Sequence, residues 1–194
     1  MRLIKKIAAV AFVSCCVATA HAEQADVYLF LDADTAETKI NGLDVTFRAE
    51  LTDEDLTDRD FTHRPRVWIT CYENGRQLLT VDTADDLDPW PEIKADRDLE
   101  LDVKLISQTG SFADLPTRMN ASRVTHLLKL NVDITARAEG VARTWLQGFP
   151  IKLTASPGNG FKDLNLVIFT GESNARFRAE LASAVRGCEV LAGH

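Results

Sequence analysis

Residues 66–81 read RVWITCYENGRQLLTV, and this stretch decides the fold class. Val67, Ile69 and Cys71 alternate with Trp68, Thr70 and Tyr72. Successive side chains of a strand point to opposite faces, so a period of two makes a strand with one apolar face. Asn74-Gly75 follows at once. Asn-Gly is the preferred pair for a type I′ hairpin, whose two central residues need positive φ. The chain is therefore expected to turn there and return through Leu78–Val81.

The same period recurs on either side. Leu43, Val45, Phe47, Ala49 and Leu51 alternate with Asp44, Thr46, Arg48 and Glu50, and Val27–Leu31 is a shorter apolar strand before them. Leu99, Leu101, Val103 and Leu105 repeat the pattern. The longest run is Val124, His126, Leu128, Leu130, Val132, Ile134, Ala136 and Ala138, long enough to require a bent strand or two strands meeting at a bulge. Phe149–Ala155 and Leu164–Thr170 complete the set, with Ser156-Pro157-Gly158-Asn159-Gly160 as the loop between them. One helix is expected near 174–187, capped by Ser173 or Asn174 and stopped at Gly187, with Phe177, Leu181, Ala184 and Val185 on one face. The fold class is mainly β: an antiparallel β sandwich or open barrel with one C-terminal α-helix, in a single domain over 23–194.

Residues 1–22 carry Arg2, Lys5 and Lys6, then an apolar stretch from Ile7 to Val17, then Ala20-His21-Ala22. Basic start, short apolar core and small-x-small end describe a secretory signal peptide. The expected location is periplasmic or extracellular, with no stable membrane span after cleavage. The whole chain has 194 residues and net charge −7; without residues 1–22 the charge is −10. Such acidity disfavours a nucleic-acid partner. Cys71 and Cys188 remain after cleavage. In an oxidising compartment they read most simply as one disulfide, with two buried free thiols as the alternative. Loop closure on that scale is worth about 4–5 kcal/mol in the chain-entropy model.

Catalytic signatures fail one by one. No Gly-x-Ser-x-Gly elbow occurs. Asp53–Asp60 is rich in carboxylates, but it lacks the glycine and the final glutamate of a calcium loop. His63, His126 and His194 have no ligand-like spacing for zinc. His126 falls on the apolar side of its strand, where a packed histidine is the simpler reading. No catalytic residue, metal or cofactor is assigned, and the expectation is a non-enzymatic protein.

Two features suggest a partner. Trp68 and Tyr72 share a strand face with Arg66 and Thr70, and aromatics beside arginine are enriched in interface cores. Their ordinary alternative is a second small core under the terminal helix. Trp90, in Asp88-Pro89-Trp90-Pro91, is either a contact or a loop plug. Charge is also uneven: residues 23–117 carry net −14 and residues 118–194 net +4, with acids dense in 50–60 and 82–102. Solvated loops explain this, or Asp85, Asp86 and Asp88 belong to an acidic face for a basic partner. A protein-interaction or envelope-accessory module follows. The alternative is a β-barrel carrier whose inward aliphatics line a cavity for a small apolar ligand.

Asp26-Val27-Tyr28-Leu29, then Arg64-Pro65-Arg66-Val67-Trp68-Ile69-Thr70-Cys71-Tyr72-Glu73-Asn74-Gly75-Arg76, resembles the central segment of secreted proteins of the VasI/TagO type, associated with type VI secretion. The end is similar too: Leu166-Val167-Ile168-Phe169, Gly171, a helix with Leu181 and Ala184, and a final Cys188. The likeness covers about a third of the chain and leaves out residues 82–123. It implies a periplasmic, non-enzymatic accessory protein with Cys71 and Cys188 paired.

Overall fold

The structure is a computed structural model that describes residues 26–52, 64–83, 90, 99–107, 117–124, 127–157, 162–170 and 175–193. Side chains are described for the same residues except 99–103, 117–124, 127 and 128. The expected signal peptide, the caps Ser173 and Asn174, and His126 lie outside the described residues.

The described strands are β1 (Val27–Ile40), β2 (Asp44–Thr52), β3 (Arg66–Tyr72), β4 (Gln77–Thr83), β5 (Leu99–Ser107), β6 (Thr117–Val124), β7 (Leu127–Asp133), β8 (Ile151–Ser156) and β9 (Leu164–Phe169). Two helices join them, α1 (Ala138–Leu146) and α2 (Ala175–Leu191). The sheet order is β1-β2-β3-β4-β7-β6-β5-β8-β9, and β9 pairs in parallel with β1, so the sheet curls into a barrel. All other neighbours are antiparallel. The mainly-β class and the C-terminal helix are as the alternation predicts.

The inward face is the one marked by the apolar alternation. Val45, Phe47, Ala49 and Leu51 of β2, Val67, Ile69 and Cys71 of β3, and Leu130 and Val132 of β7 are buried in one core. Helix α2 enters that core through Phe177, Leu181 and Ala184. Phe177 meets Phe47 edge-on, with ring centroids 5.5 Å apart. Thr38 of β1 donates its hydroxyl to the Glu180 carbonyl at 2.7 Å, which fixes the helix along the sheet. Cys71 and Cys188 bring their sulfurs to bonding distance, with Cα atoms 5.6 Å apart.

Four expectations need correction in detail. First, the run 124–138 is not one extended segment. Val124 ends β6, Leu127–Asp133 is β7, and Thr135–Arg137 is a turn of 3-10 helix leading into α1. Asp133 makes the change: its carboxylate accepts the Thr135 hydroxyl at 2.6 Å and the Thr135 N–H at 3.1 Å, a local turn that a strand cannot continue. Second, Gly140 reads locally as a turn before Trp145, but it lies inside α1, where Val141, Ala142, Thr144 and Trp145 take the buried positions. The spacing Ala138, Val141, Ala142, Trp145 is helical and overrides one glycine. Third, the β3–β4 connection has four residues, Glu73-Asn74-Gly75-Arg76. The Gly75 N–H bonds the Tyr72 carbonyl, and the Tyr72 N–H bonds the Arg76 carbonyl. Gly75, at φ 79°, supplies the left-handed residue of a longer hairpin loop. Fourth, Gly187 does not stop α2. A Cβ there would lie 3.1 Å from both Val45 methyls, so this glycine permits close approach of helix to strand. The helix runs on to Leu191, and Gly193, at φ 78°, follows it.

Candidate functional site

Outward side chains of β2, β3, β4 and β7 form a polar face centred on Trp68. Antiparallel register sets its rows. Glu50 pairs with Arg66, Arg66 with Asp82, and Asp82 with Lys129. In the next row Arg48 pairs with Trp68, Trp68 with Thr80, and Thr80 with Asn131. Helix α2 lies on the opposite side of this sheet, against Phe47, so it does not cover Trp68 as a second core.

The rows are chemically knit. The Glu50 carboxylate holds Arg64 at 3.5 Å and Arg66 at 3.4 Å. The Arg66 Nε is buried and finds no hydrogen-bond partner among the described residues. Thr80 donates to the Asn131 carboxamide oxygen at 2.9 Å. Lys129 Nζ stands 5.7 Å from the centroid of the Trp68 ring, a cation–π placement. Of the three cations on this face, Lys129 stands near the half-buried indole, Arg48 is its register neighbour on β2 and pairs with Glu37 at 3.2 Å, and Arg66 lies two residues from it on β3.

Tyr72 shares this face but not this cluster. It sits at the far end of β3 opposite Asp44, four residues or about 13 Å along the strand from Trp68. Below it Asp133 closes the β4–β7 end. Burial raises the Asp133 carboxyl, but hydrogen bonds from the Thr135 hydroxyl and N–H, with the Arg76 guanidinium at 3.2 Å, outweigh it and leave its pKa below the ordinary value.

Trp90 is not a surface contact. It is fully buried, and its indole N–H donates to the Lys162 carbonyl at 2.6 Å. A large ring with one satisfied donor is a core plug. Asp85, Asp86 and Asp88 lie outside the described residues. Their attachment point is placed, however: Thr52 and Thr83, after which the segments 53–63 and 84–89 begin, end β2 and β4 at the same mouth of the barrel.

An aromatic group escaped the sequence reading. Phe30 stacks on Phe169 with centroids 5.2 Å apart, and Tyr28 lies 6.0 Å from Phe169. All three stand on the outer face, and Tyr28 is 52% exposed. Only the parallel pairing of Phe30 with Phe169 brings them together, and no local signal announces it. By register this group adjoins the Trp68 face, since Asp32, two residues beyond Phe30, pairs with Glu50.

Two hollows flank α2 on the inner side. One, of about 380 Å³, lies between Ile40 and Val45 and the helix residues Gly187, Val190 and Leu191. The other, of about 250 Å³, lies between Ile69, Ala142 and the helix residues Leu181, Val185 and Cys188. Among the described residues no group of three or more His, Cys, Asp or Glu side chains is arranged to hold a metal, and no helix is long and apolar enough to cross a membrane. Compared with known proteins, the chain matches no family model, no curated protein and no solved structure.

Proposed function

We propose that the protein is a secreted, non-enzymatic protein-interaction module of the cell envelope, whose contact surface is the outer sheet face around Trp68. The carrying observation is a half-buried tryptophan with Lys129 near its ring and Arg48 and Arg66 on the same outward rows, on a face that no element of the described chain covers. Tryptophan and arginine are enriched among interface hot spots, where they fill well-packed, desolvated pockets. The adjoining Tyr28, Phe30 and Phe169 extend this surface with apolar area. The resemblance to VasI/TagO-type proteins and the signal-peptide pattern support a periplasmic setting.

The carrier reading has less support. The inward aliphatics that would line its cavity, Leu130 and Val132 among them, are fully buried in the same core as Trp145 and Phe177.

Site-directed photo-crosslinking tests the reading. A photoreactive residue at position 68, in mature protein mixed with envelope proteins, should give one defined adduct that Arg66→Glu abolishes. The same probe at Lys104, exposed on β5, should give none. No adduct at position 68, or equal adducts at both positions, rejects the proposal.

A further inference from the structure

Helix α2 is held unevenly. Its first half carries the buried anchors Phe177, Leu181 and Ala184. Its last two turns have Gly187, Cys188 and Leu191 half-buried, while Arg186, Glu189 and Val190 are exposed, Val190 at 76%. The same two turns run between the two hollows, that of Ile40 and Val45 on one side and that of Ile69 and Ala142 on the other. What pins them is the contact of Gly187 with Val45 and the Cys71–Cys188 bond one residue later.

The two sulfurs differ in access. Cys71 is 2% exposed in the core, whereas Cys188 is half-buried and forms part of the wall of the 250 Å³ hollow. A thiolate entering that hollow reaches Cys188 first. Exchange rates depend on which sulfur is accessible to attack and on the leaving thiol.

We propose that the Cys71–Cys188 bond is a redox latch on the last two turns of α2, opened by a dithiol reductant that attacks Cys188. The attacking thiolate forms a bond to the Cys188 sulfur, and Cys71 leaves as a thiolate that takes up a proton. The second thiol of the reductant then displaces Cys188. The protein gains two electrons and two protons as two thiols, and the dithiol becomes a disulfide. With the tie gone the helix end is free to lift, and the two hollows become one apolar groove lined by Ile40, Val45 and Ile69. The first half of the helix and the barrel stay in place, because their anchors do not involve the bond. This device is on the inner side of the sheet and is independent of the Trp68 surface.

Hydrogen exchange read by mass spectrometry, on mature protein with and without dithiothreitol, tests the latch. The expected result is exchange faster by roughly tenfold or more at the amides of 185–192, with β2 and β3 protected as before. Cys71→Ser/Cys188→Ser should reproduce that pattern without reductant. Glutathione, trapped by alkylation during reduction, should be found on Cys188. Unchanged exchange at 185–192, loss of protection throughout the barrel, glutathione on Cys71, or a bond that dithiothreitol cleaves only after denaturation would each overturn the proposal.

Discussion

Gly187→Ala should destabilise this protein, although alanine is the better helix former. In an exposed helix interior the exchange gains about 1 kcal/mol. Here the added Cβ meets both Val45 methyls at 3.1 Å and the Ile40 Cδ1 at 3.4 Å. Val45 is 1% exposed, is fixed by its strand pairing with Cys71, and has a β-branched side chain that is stiff about χ1. The helix cannot retreat, because Cys188 ties the next residue to β3. Overpacking of a fixed site costs about 1–3 kcal/mol, so the net loss is about 1 kcal/mol, or a fall in Tm of about 2–4 °C for a domain of this size. The sign reverses when the clash is removed. Val45→Ala alone should cost about 2 kcal/mol through its cavity, and Gly187→Ala added to it should restore about 1 kcal/mol. The double-mutant cycle, read by urea unfolding with the disulfide intact, should give a coupling of about 2 kcal/mol. If Gly187→Ala raises Tm in the presence of Val45, or if the coupling is near zero, the glycine is not there for close approach and the account of this contact is wrong.

Four other perturbations bear on separate contacts. Phe177→Ala removes a ring that is 1% exposed and packed edge-on against Phe47, so unfolding free energy should fall by about 3–5 kcal/mol; a loss under about 1 kcal/mol would mean that α2 does not dock through it. Unfolded, unreduced mature protein should show no titratable thiol at Cys71 or Cys188, and two per chain would refute the pairing. The lowered pKa of Asp133 means that its contribution is complete above the unfolded-state value near 3.8 and is lost as pH falls through the folded one; Asp133→Asn should flatten the acid limb of the stability curve, slightly because the group is 44% exposed, and an unchanged limb would exclude the cause given. If Asp85, Asp86 and Asp88 steer a basic partner, association of the mature protein should slow with rising salt and on their charge reversal, without a change in fold stability; binding indifferent to salt returns these residues to a solubilising role.

The candidate surface was legible only in part. Arg66 and Trp68 could be placed on one outward face because a strand fixes the direction of each side chain from its neighbour's. Arg48 and Lys129 could not be joined to them, since β2 and β7 reach Trp68 through register and through the order β4-β7, neither of which local spacing encodes. Trp90 was undecidable from its loop: its ring is buried in the common core, and its N–H partner, the Lys162 carbonyl, is distant in sequence. Tyr28, Phe30 and Phe169 form one group only because the first strand pairs in parallel with the last.

The sequence by itself determined most of the strands and which of their side chains face inward, because a period of two is a local property that burial on one face enforces; β6 (Thr117–Val124), which lacks that alternation, went unread. It also determined the docking face of α2, whose apolar positions repeat at helical spacing. Tertiary structure decided the rest. It closed the sheet through β9 and β1, carried α2 past Gly187 by giving that glycine a strand to lie against, and turned the end of the longest alternation toward α1 through the hydrogen-bonded Asp133–Thr135 turn. Each of these depends on a contact between residues that the chain keeps apart, or on a hydrogen bond that competes with the local pattern, and so it exists only in the folded protein.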